Sequence, residues 1–410
     1  MAQQLYPRWQ SANVTLALKT RRIVMLAGPR QSGKTTLARE TAGAEGEYRT
    51  LDDVALKAAA ENDPHGFVKS KAKMLVIDEV QRAPMLLPAL KKAVDEDTRA
   101  GQFLLTGSAN FRALPGVQES LAGRIASIRL RPLTQGEILS RKPHFLSRAF
   151  AGKFGRPDAA YDRDALLELA FRGGFPEVTR LTGRARRQWH LDYVDALIES
   201  DIRDISRIQR KDALHDLFGV LAAWSGKFMD ISAIGSGLSI RRPTLESYIN
   251  ALESMFVVER LLPWVRTDYE RVAHLKKLFM ADSGMMASLL RWQFDQVRFD
   301  LDRSGKLIET FAFNEIAAQV DAGDGDLTLF HYRDREKREI DFIVERDGGA
   351  LLGIEVKAGS AVGASDFKYL KWFKAQHSNR PFTGIVLYSG VETLAFGDGF
   401  WAVPFAAIWA

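Results

Sequence analysis

Gly28-Pro29-Arg30-Gln31-Ser32-Gly33-Lys34-Thr35 decides the reading of this chain. The apolar run Ile23 to Ala27 precedes it and Thr36-Leu37-Ala38-Arg39-Glu40 follows it, so the order reads buried strand, glycine loop, helix. Two glycines let successive backbone N–H groups curl around phosphate oxygens, and the start of a helix adds favourable partial charge. Lys34 would reach the β- and γ-phosphates of a nucleotide and Thr35 would hold Mg²⁺. A glycine-rich turn with no chemistry would not bring all the fixed positions together in that context. The expected ATP-binding set is therefore Gly28, Pro29, Arg30, Gln31, Ser32, Gly33, Lys34, Thr35 and Thr36, with Arg30 turned to solvent or to an adjacent acid.

A second apolar run, Met74 to Ile77, ends in Asp78-Glu79. In a parallel sheet the C-terminal strand ends face the ligand crevice, so consecutive carboxylates there suit a Mg²⁺-nucleotide site. Asp78 would join the magnesium shell, and Glu79 would orient or deprotonate the attacking water. A third run, Gln102 to Thr106, ends in Gly107-Ser108-Ala109-Asn110. Ser108, and after it Asn110, can hydrogen-bond the γ-phosphate or its water; the competing reading is an ordinary polar turn.

The bulk numbers bound the rest. A length of 410 residues suits two to four domains, and 46% hydrophobic with 26% charged residues is ordinary globular composition. The absence of Cys excludes disulfides and thiolate metal sites and fits a reducing compartment. The opening residues lack an apolar core of signal-peptide type, and no run approaches the roughly 20 apolar residues of a membrane span. A cytoplasmic protein without a membrane partner is expected. A formal charge of +6 and a pI near 9.3 permit nucleic-acid binding without demanding it.

Glu119-Ser120-Leu121-Ala122-Gly123-Arg124 precedes a further strand, Ile125 to Leu130. Phosphate loop, acidic strand end, polar strand end and then an arginine is an order that resembles the AAA+ ATPases. The likeness is closest to the bacterial and archaeal AAA+ proteins that carry a C-terminal domain of unknown function. It rests also on Arg131-Pro132-Leu133 and Arg172-Gly173-Gly174-Phe175-Pro176-Glu177, and it covers nearly the whole chain. The resemblance implies that Arg124 is an arginine finger offered to a neighbouring subunit's ATP. It implies that Arg172 is a second sensor contacting the γ-phosphate from a helical lid. It also implies self-association into a ring, with a hexamer expected. A surface or structural ion pair is the plainer role for either arginine.

Beyond the loop-like stretch 141–163, Arg187 to Ile205 reads as a long amphipathic helix. Leu214 to Trp224, Ile231 to Ile234 and a helix with Leu245, Ile249 and Leu252 as its apolar stripe follow, then strand-like runs Phe256 to Leu262 and Lys277 to Ala281. Three helices and a β-ribbon in this order resemble a winged helix. Its third helix would then present Arg241, Arg242, Thr244 and Ser247 to a DNA groove.

The last hundred residues change character. A helix, Leu307 to Val320, is followed by strands at 327–332, 339–344 and 351–357 and a helix at 365–375. Residues two apart on a strand share a face, so Glu355 and Lys357 project together beside Asp341 of the paired strand. Two carboxylates and a lysine on one sheet face can bind Mg²⁺ and activate water against a phosphodiester. The pattern is similar to that of the restriction-endonuclease-like PD-(D/E)xK superfamily, in which Glu309 matches the auxiliary acid. Here Ile340 stands where that family's motif has proline. A solvated strand face, or a nuclease-like fold kept for binding, are the alternatives.

The expected fold is α/β: an AAA+ P-loop domain (1–140), a helical lid and connector (141–210), a winged helix (211–300) and a restriction-endonuclease-like domain (301–410). The expected function is an oligomeric, Mg-dependent ATPase that binds and remodels DNA. A nucleotide-gated, protein-binding switch and an ATP-licensed nuclease are the rivals.

Overall fold

Five short runs in the first 130 residues pair as one parallel sheet. They are β1 (Ile23–Ala27), β2 (Gly46–Thr50), β3 (Met74–Asp78), β4 (Phe103–Gly107) and β5 (Ile125–Arg129), in the order β2-β3-β4-β1-β5. The central strands are apolar at successive positions because each face has its own core. Ile23, Met25 and Ala27 enter one core with Leu75, Ile77, Phe103 and Leu105. Val24 and Leu26 enter the other with Val76 and Leu104. A strand covered on both faces reads as a continuous hydrophobic run. Each fully buried Val, Ile, Leu or Met side chain contributes about 1.5–3 kcal/mol. Helix α1 (Gln10–Thr20) supplies Val14 and α2 (Lys34–Ala42) supplies Leu37 and Ala38 to one face. The other face is covered by α3 (Leu86–Glu96), through Leu86, Leu87, Leu90 and Val94.

This is a computed structural model describing residues 5–108, 121, 123–154, 161–205, 211–238, 240–265 and 275–410. Packing divides the chain into two compact units, Met1–Pro132 with Ser254–Phe256, and Leu133–Glu253 with Val257–Ala410.

In the second unit, α4 (Arg163–Arg172), α5 (Gly183–Ile205) and α6 (Lys211–Trp224) lead into β6 (Lys227–Phe228), α7 (Ile231–Gly235) and α8 (Arg242–Ser254). Strands β7 (Val258–Leu261) and β8 (Lys277–Met280) complete a three-stranded antiparallel sheet ordered β6-β8-β7. The run expected from Phe256 starts later, at Val258, because Phe256 takes a left-handed φ of +60°. Between 141 and 163 a short helix, Phe145–Phe150, stands where loop composition dominated; its Phe145, Leu146 and Ala149 are buried.

Helix α9 (Leu301–Ala322) starts six residues before the expected Leu307, since Asp300 caps it by accepting from the Asp302 and Arg303 N–H groups at 3.0 and 3.1 Å. It packs its Leu307, Ile308, Phe311 and Ile316 against a six-stranded sheet ordered β13-β14-β12-β11-β10-β9. These strands are β9 (Leu327–Arg333), β10 (Glu339–Arg346), β11 (Leu351–Lys357), β12 (Phe382–Tyr388), β13 (Leu394–Ala395) and β14 (Phe400–Pro404). The first three form an antiparallel meander; α10 (Lys368–Gln376) then carries the chain to β12, which pairs parallel with β11.

Candidate functional site

Strand order builds the first site. Because β4 lies between β1 and β3, the phosphate loop, the acidic end of β3 and the polar end of β4 share one edge. Gly28 is obligatory there: a Cβ would stand 2.1 Å from the Leu130 carbonyl oxygen. Gly33 takes a left-handed φ of +96°, which a side chain would strain. The Lys34 ammonium is buried and donates to the Gly28 and Pro29 carbonyls at 3.0 and 2.8 Å. Arg8 braces the loop from outside, donating to the Ser32 carbonyl at 2.6 Å and the Arg131 carbonyl at 2.7 Å. Ser32 is fully buried and its hydroxyl has no hydrogen-bond partner.

Asp78 is the hub. Its carboxylate accepts from the Thr35 hydroxyl at 3.1 and 3.2 Å, from the Tyr48 hydroxyl at 2.5 Å, and from the Thr106 hydroxyl. Tyr48's own ionisation is pushed up, first by burial and then by its bond to Asp78. Thr106 also accepts from the Glu79 N–H at 3.1 Å, so one hydroxyl positions both acids. Glu79 itself sits at φ +57°, an uncommon left-handed conformation for a residue with a side chain. Its carboxylate receives the Gln81 amide, which also donates to the Ser108 hydroxyl at 3.0 Å. Glu79, Gln81 and Ser108 thus form one polar chain beside the loop.

The residues present fit a nucleotide with Mg²⁺. The loop offers its curled backbone and the unpartnered Ser32 hydroxyl to phosphate. Thr35 and Asp78 bring a hydroxyl and a carboxylate together, the oxygen donors that Mg²⁺ prefers. Pro29 is buried and Arg30 and Thr36 are half-buried, while Gln31 is exposed with a left-handed φ of +58°. Tyr48, Thr106, Gln81 and Arg8 escaped the sequence reading. Tyr48 and Thr106 reach Asp78 through the order of the strands, Gln81 through its place just after Glu79, and Arg8 from the segment before α1.

Arg124 makes a two-point ion pair with Asp95 of α3, at 2.6 and 3.0 Å, which holds its guanidinium more firmly protonated. Asn110 lies outside the described residues. Arg172, in the second unit, donates to the Gln135 side chain. The Gln135 N–H in turn donates at 2.8 Å to Glu315, a carboxyl pushed up to about 8 by burial. At the start of α8, Arg241, Arg242, Thr244 and Ser247 are exposed, while Leu245, Tyr248, Ile249 and Leu252 are buried. Arg242 pairs with Glu246 at 3.0 Å, one turn on.

The carboxyl-terminal sheet gathers a second set of acids. Register pairs Phe342 with Ile354, and Asp341 and Glu355 are the next residues along β10 and β11 from that pair. On its other side the register of β10 against β9 shifts between Ile340 and Ile343, an irregularity that spans Asp341. Asp341 also accepts from the Val356 N–H at 2.9 Å. Into this set comes a residue that sequence reading treated only as the start of a strand. Lys277 of β8 is 1% exposed, and its ammonium lies 2.6 Å from Glu309, 2.7 Å from Glu339 and 3.6 Å from Asp341. Lys357 lies instead 4.0 Å from Asp366. Burial pushes Glu309 up to about 7 against the pull of Lys277. Burial, and then repulsion from Asp341, push Glu355 well up. Among the described residues, no group of three His, Cys, Asp or Glu side chains is spaced to hold a metal ion. No helix among them is long and apolar enough to cross a membrane.

Three family models match successive parts of the chain. Residues 20–139 match the family model of an AAA domain. Residues 163–296 and 304–408 match two domains of unknown function, DUF8612 and DUF4143. An uncharacterized protein of Mycobacterium tuberculosis and one of Mycobacterium bovis are each 28% identical over 359 residues, spanning 87% of this chain and 74% of theirs. Among solved structures, the Walker-type ATPase of Pyrococcus abyssi overlaps 70% of this chain and 99% of its own, at 16% identity and a TM-score of 0.42. The RuvB Holliday junction branch migration motor of Thermotoga maritima overlaps 67% and 98%, at 17% identity and a TM-score of 0.29. The chain thus carries a match to an AAA domain at residues 20–139 and one to a DUF4143 domain at residues 304–408.

Proposed function

We propose that this chain is an oligomeric, Mg-dependent ATPase that couples ATP hydrolysis to binding and remodelling of DNA. The observation that carries the ATPase reading is the meeting of Thr35 with Asp78 at 3.1 Å, beside a glycine loop and a held Glu79. ATP's phosphates would lie in the curl from Gly28 to Thr36, with Lys34 turning its ammonium from the loop carbonyls to the γ-phosphate. Thr35 and Asp78 would hold the accompanying magnesium, which supplies charge neutralisation at the β- and γ-oxygens. Glu79 takes the proton of the attacking water, and Gln81, anchored on Ser108, keeps the Glu79 carboxylate aimed. Arg124 would act in trans on a neighbour's nucleotide after leaving Asp95, and Arg172 would act as the lid's sensor.

The DNA reading draws support from the element order α6-β6-α7-α8-β7-β8, the sheet order β6-β8-β7 and the exposed Arg241, Arg242, Thr244 and Ser247, all expected of a winged helix. The meander β9-β10-β11 flanked by α9 and α10, with β12 parallel, supports the restriction-endonuclease-like reading of the last domain. In that reading Asp341, Glu355, Lys357 and Glu309 are the nuclease set. The Lys277 ammonium between those acids favours remodelling over scission.

The test is ATP turnover with and without single-stranded, duplex and branched DNA, with products run on a gel. DNA should raise turnover, with affinity falling steeply as salt rises. Turnover indifferent to every DNA would instead favour the ATP-gated, protein-binding switch. Mg²⁺-dependent strand scission would favour the nuclease.

A further inference from the structure

Three arginines of the second unit stand where their own helix gives them no relief. Arg184, Arg186 and Arg187 fall within the first five residues of α5, the end at which a helix carries positive partial charge and disfavours cations. None of them makes an ion pair with an acid among the described residues. Arg186 is half-buried, and its Nε donates to the Leu181 carbonyl at 3.0 Å, a bond that holds the guanidinium without neutralising it. Burial, and then repulsion from Arg172, pull its proton affinity below the usual guanidinium range. All three border a cleft of about 780 Å³, a volume that suits a small ligand. Phe171, Trp292 and Phe294 line it as well, with the Phe171 and Phe294 rings 5.8 Å apart. Trp292 is set there by the end of the short helix Ser283–Leu289. Arg291 takes a left-handed φ of +53°, and the Trp292 N–H returns to the Ala287 carbonyl at 3.0 Å. The indole is half-buried, and no other ring among the described residues packs against it. The side-chain amide of Gln293, also on the cleft, has no hydrogen-bond partner among them. Ser288 lines the cleft with its hydroxyl 2.8 Å from His190 Nδ1, and His190, pushed down to about 3 by burial and then by Arg186, adds no charge. Against three guanidinium groups the lining sets one acid, the exposed Glu168.

We propose that this cleft binds a nucleoside phosphate, its phosphate held by Arg184, Arg186 and Arg187 and its base packed against Trp292. Guanidinium groups recognise phosphate through charge-assisted, two-point hydrogen bonds. A planar base is the partner an indole takes up by stacking, and an amide such as that of Gln293 can both donate to and accept from a base edge. An acidic peptide would use the arginines and leave the rings unfilled. Phosphate joined to a base is the chemistry of a free mononucleotide and of one residue in a single strand. The cleft lies wholly within the second unit, so failure of this inference leaves nucleotide binding at the phosphate loop standing, and the reverse holds too.

The experiment is calorimetric titration of the full chain carrying Lys34→Ala, which removes uptake at the phosphate loop. The probes are AMP, a short single strand of oligodeoxyadenylate, adenosine, inorganic phosphate and a phosphotyrosine peptide. AMP or the oligonucleotide should bind, and the tighter of the two names the source. Adenosine and inorganic phosphate should each bind at least about tenfold more weakly than that ligand, since each lacks one half of it. Arg184→Gln/Arg187→Gln should weaken uptake by at least about tenfold, the worth of one charge-assisted hydrogen bond. Trp292→Leu keeps the apolar packing and should weaken it about fivefold or more through lost stacking. Glu168→Gln should tighten it. Folded protein that takes up neither AMP nor the oligonucleotide overturns the proposal. So does uptake indifferent to the arginine and tryptophan changes, or inorganic phosphate bound as tightly as AMP. Tighter binding of the phosphotyrosine peptide overturns it in favour of a protein partner. Should Lys34→Ala fail to fold, the wild type is titrated instead: a binding event that Arg184→Gln/Arg187→Gln removes supports the cleft, and titrations indifferent to that change refute it.

Discussion

The two acid centres of this protein solve the same electrostatic problem in opposite ways. Asp78 is 4% exposed, and the partners described for it are neutral hydroxyls, those of Thr35, Tyr48 and Thr106. Hydroxyls stabilise a carboxylate without cancelling its charge, so attraction for a divalent ion survives. Asp341 shares its pocket with an ammonium at 3.6 Å that two glutamates hold more closely still. There the charge is largely spent inside the protein. A carboxylate held by hydroxyls keeps its pull on a divalent ion, while one that faces an ammonium has largely satisfied that pull within the protein.

The comparison can be broken at either end. The largest effect is expected for Glu79→Gln, which should keep ATP binding by calorimetry while turnover falls by about 10²–10⁴-fold, the usual contribution of a general base. Equal loss of binding would mean that Glu79 holds the nucleotide instead. Lys277→Met should cost about 3–5 kcal/mol in urea unfolding without metal, because it leaves a buried cluster of like charges. A change under about 1 kcal/mol would place the acids in good contact with solvent and erase the contrast. Tyr48→Phe removes one neutral donor to a charged acceptor and should cost about 1.5–3 kcal/mol. An unchanged urea midpoint would show that water replaces the hydroxyl freely. Smallest is Gln81→Met, which frees the Glu79 carboxylate from Ser108. Turnover should fall by about tenfold, or roughly 1.4 kcal/mol, at unchanged ATP affinity. A parallel loss of affinity would make Gln81 a binding residue.

What the sequence made legible divides along similar lines. Gly28 to Thr35 could be read because each position is fixed by a local demand: a left-handed φ at Gly33, a close carbonyl at Gly28, a buried ammonium at Lys34. Asp78 and Glu79 could be read because they end an apolar strand. Tyr48 and Thr106 could not, since they reach Asp78 only because β2 and β4 flank β3, and nothing local encodes that order; Gln81 is near Glu79 in sequence, but its link to Ser108 needs the same pairing of β3 with β4. Lys277 was legible only as the first residue of a strand. Its partners lie 32, 62 and 64 positions further on, and a lysine before three apolar residues ordinarily marks a solvated strand end. The short helix Phe145–Phe150 was hidden for a different reason: the Lys, Arg, Gly and Pro around it outweighed three apolar residues that pack inward.

The brace made by Arg8 has a consequence for handling the protein. Its two bonds, to Ser32 and Arg131, fasten the segment before α1 both to the cradle and to the stretch after β5. A change that displaced Arg8 would therefore reach the glycine loop more than twenty positions away. Preparations that differ only at that extremity should therefore differ in how tightly they grip nucleotide.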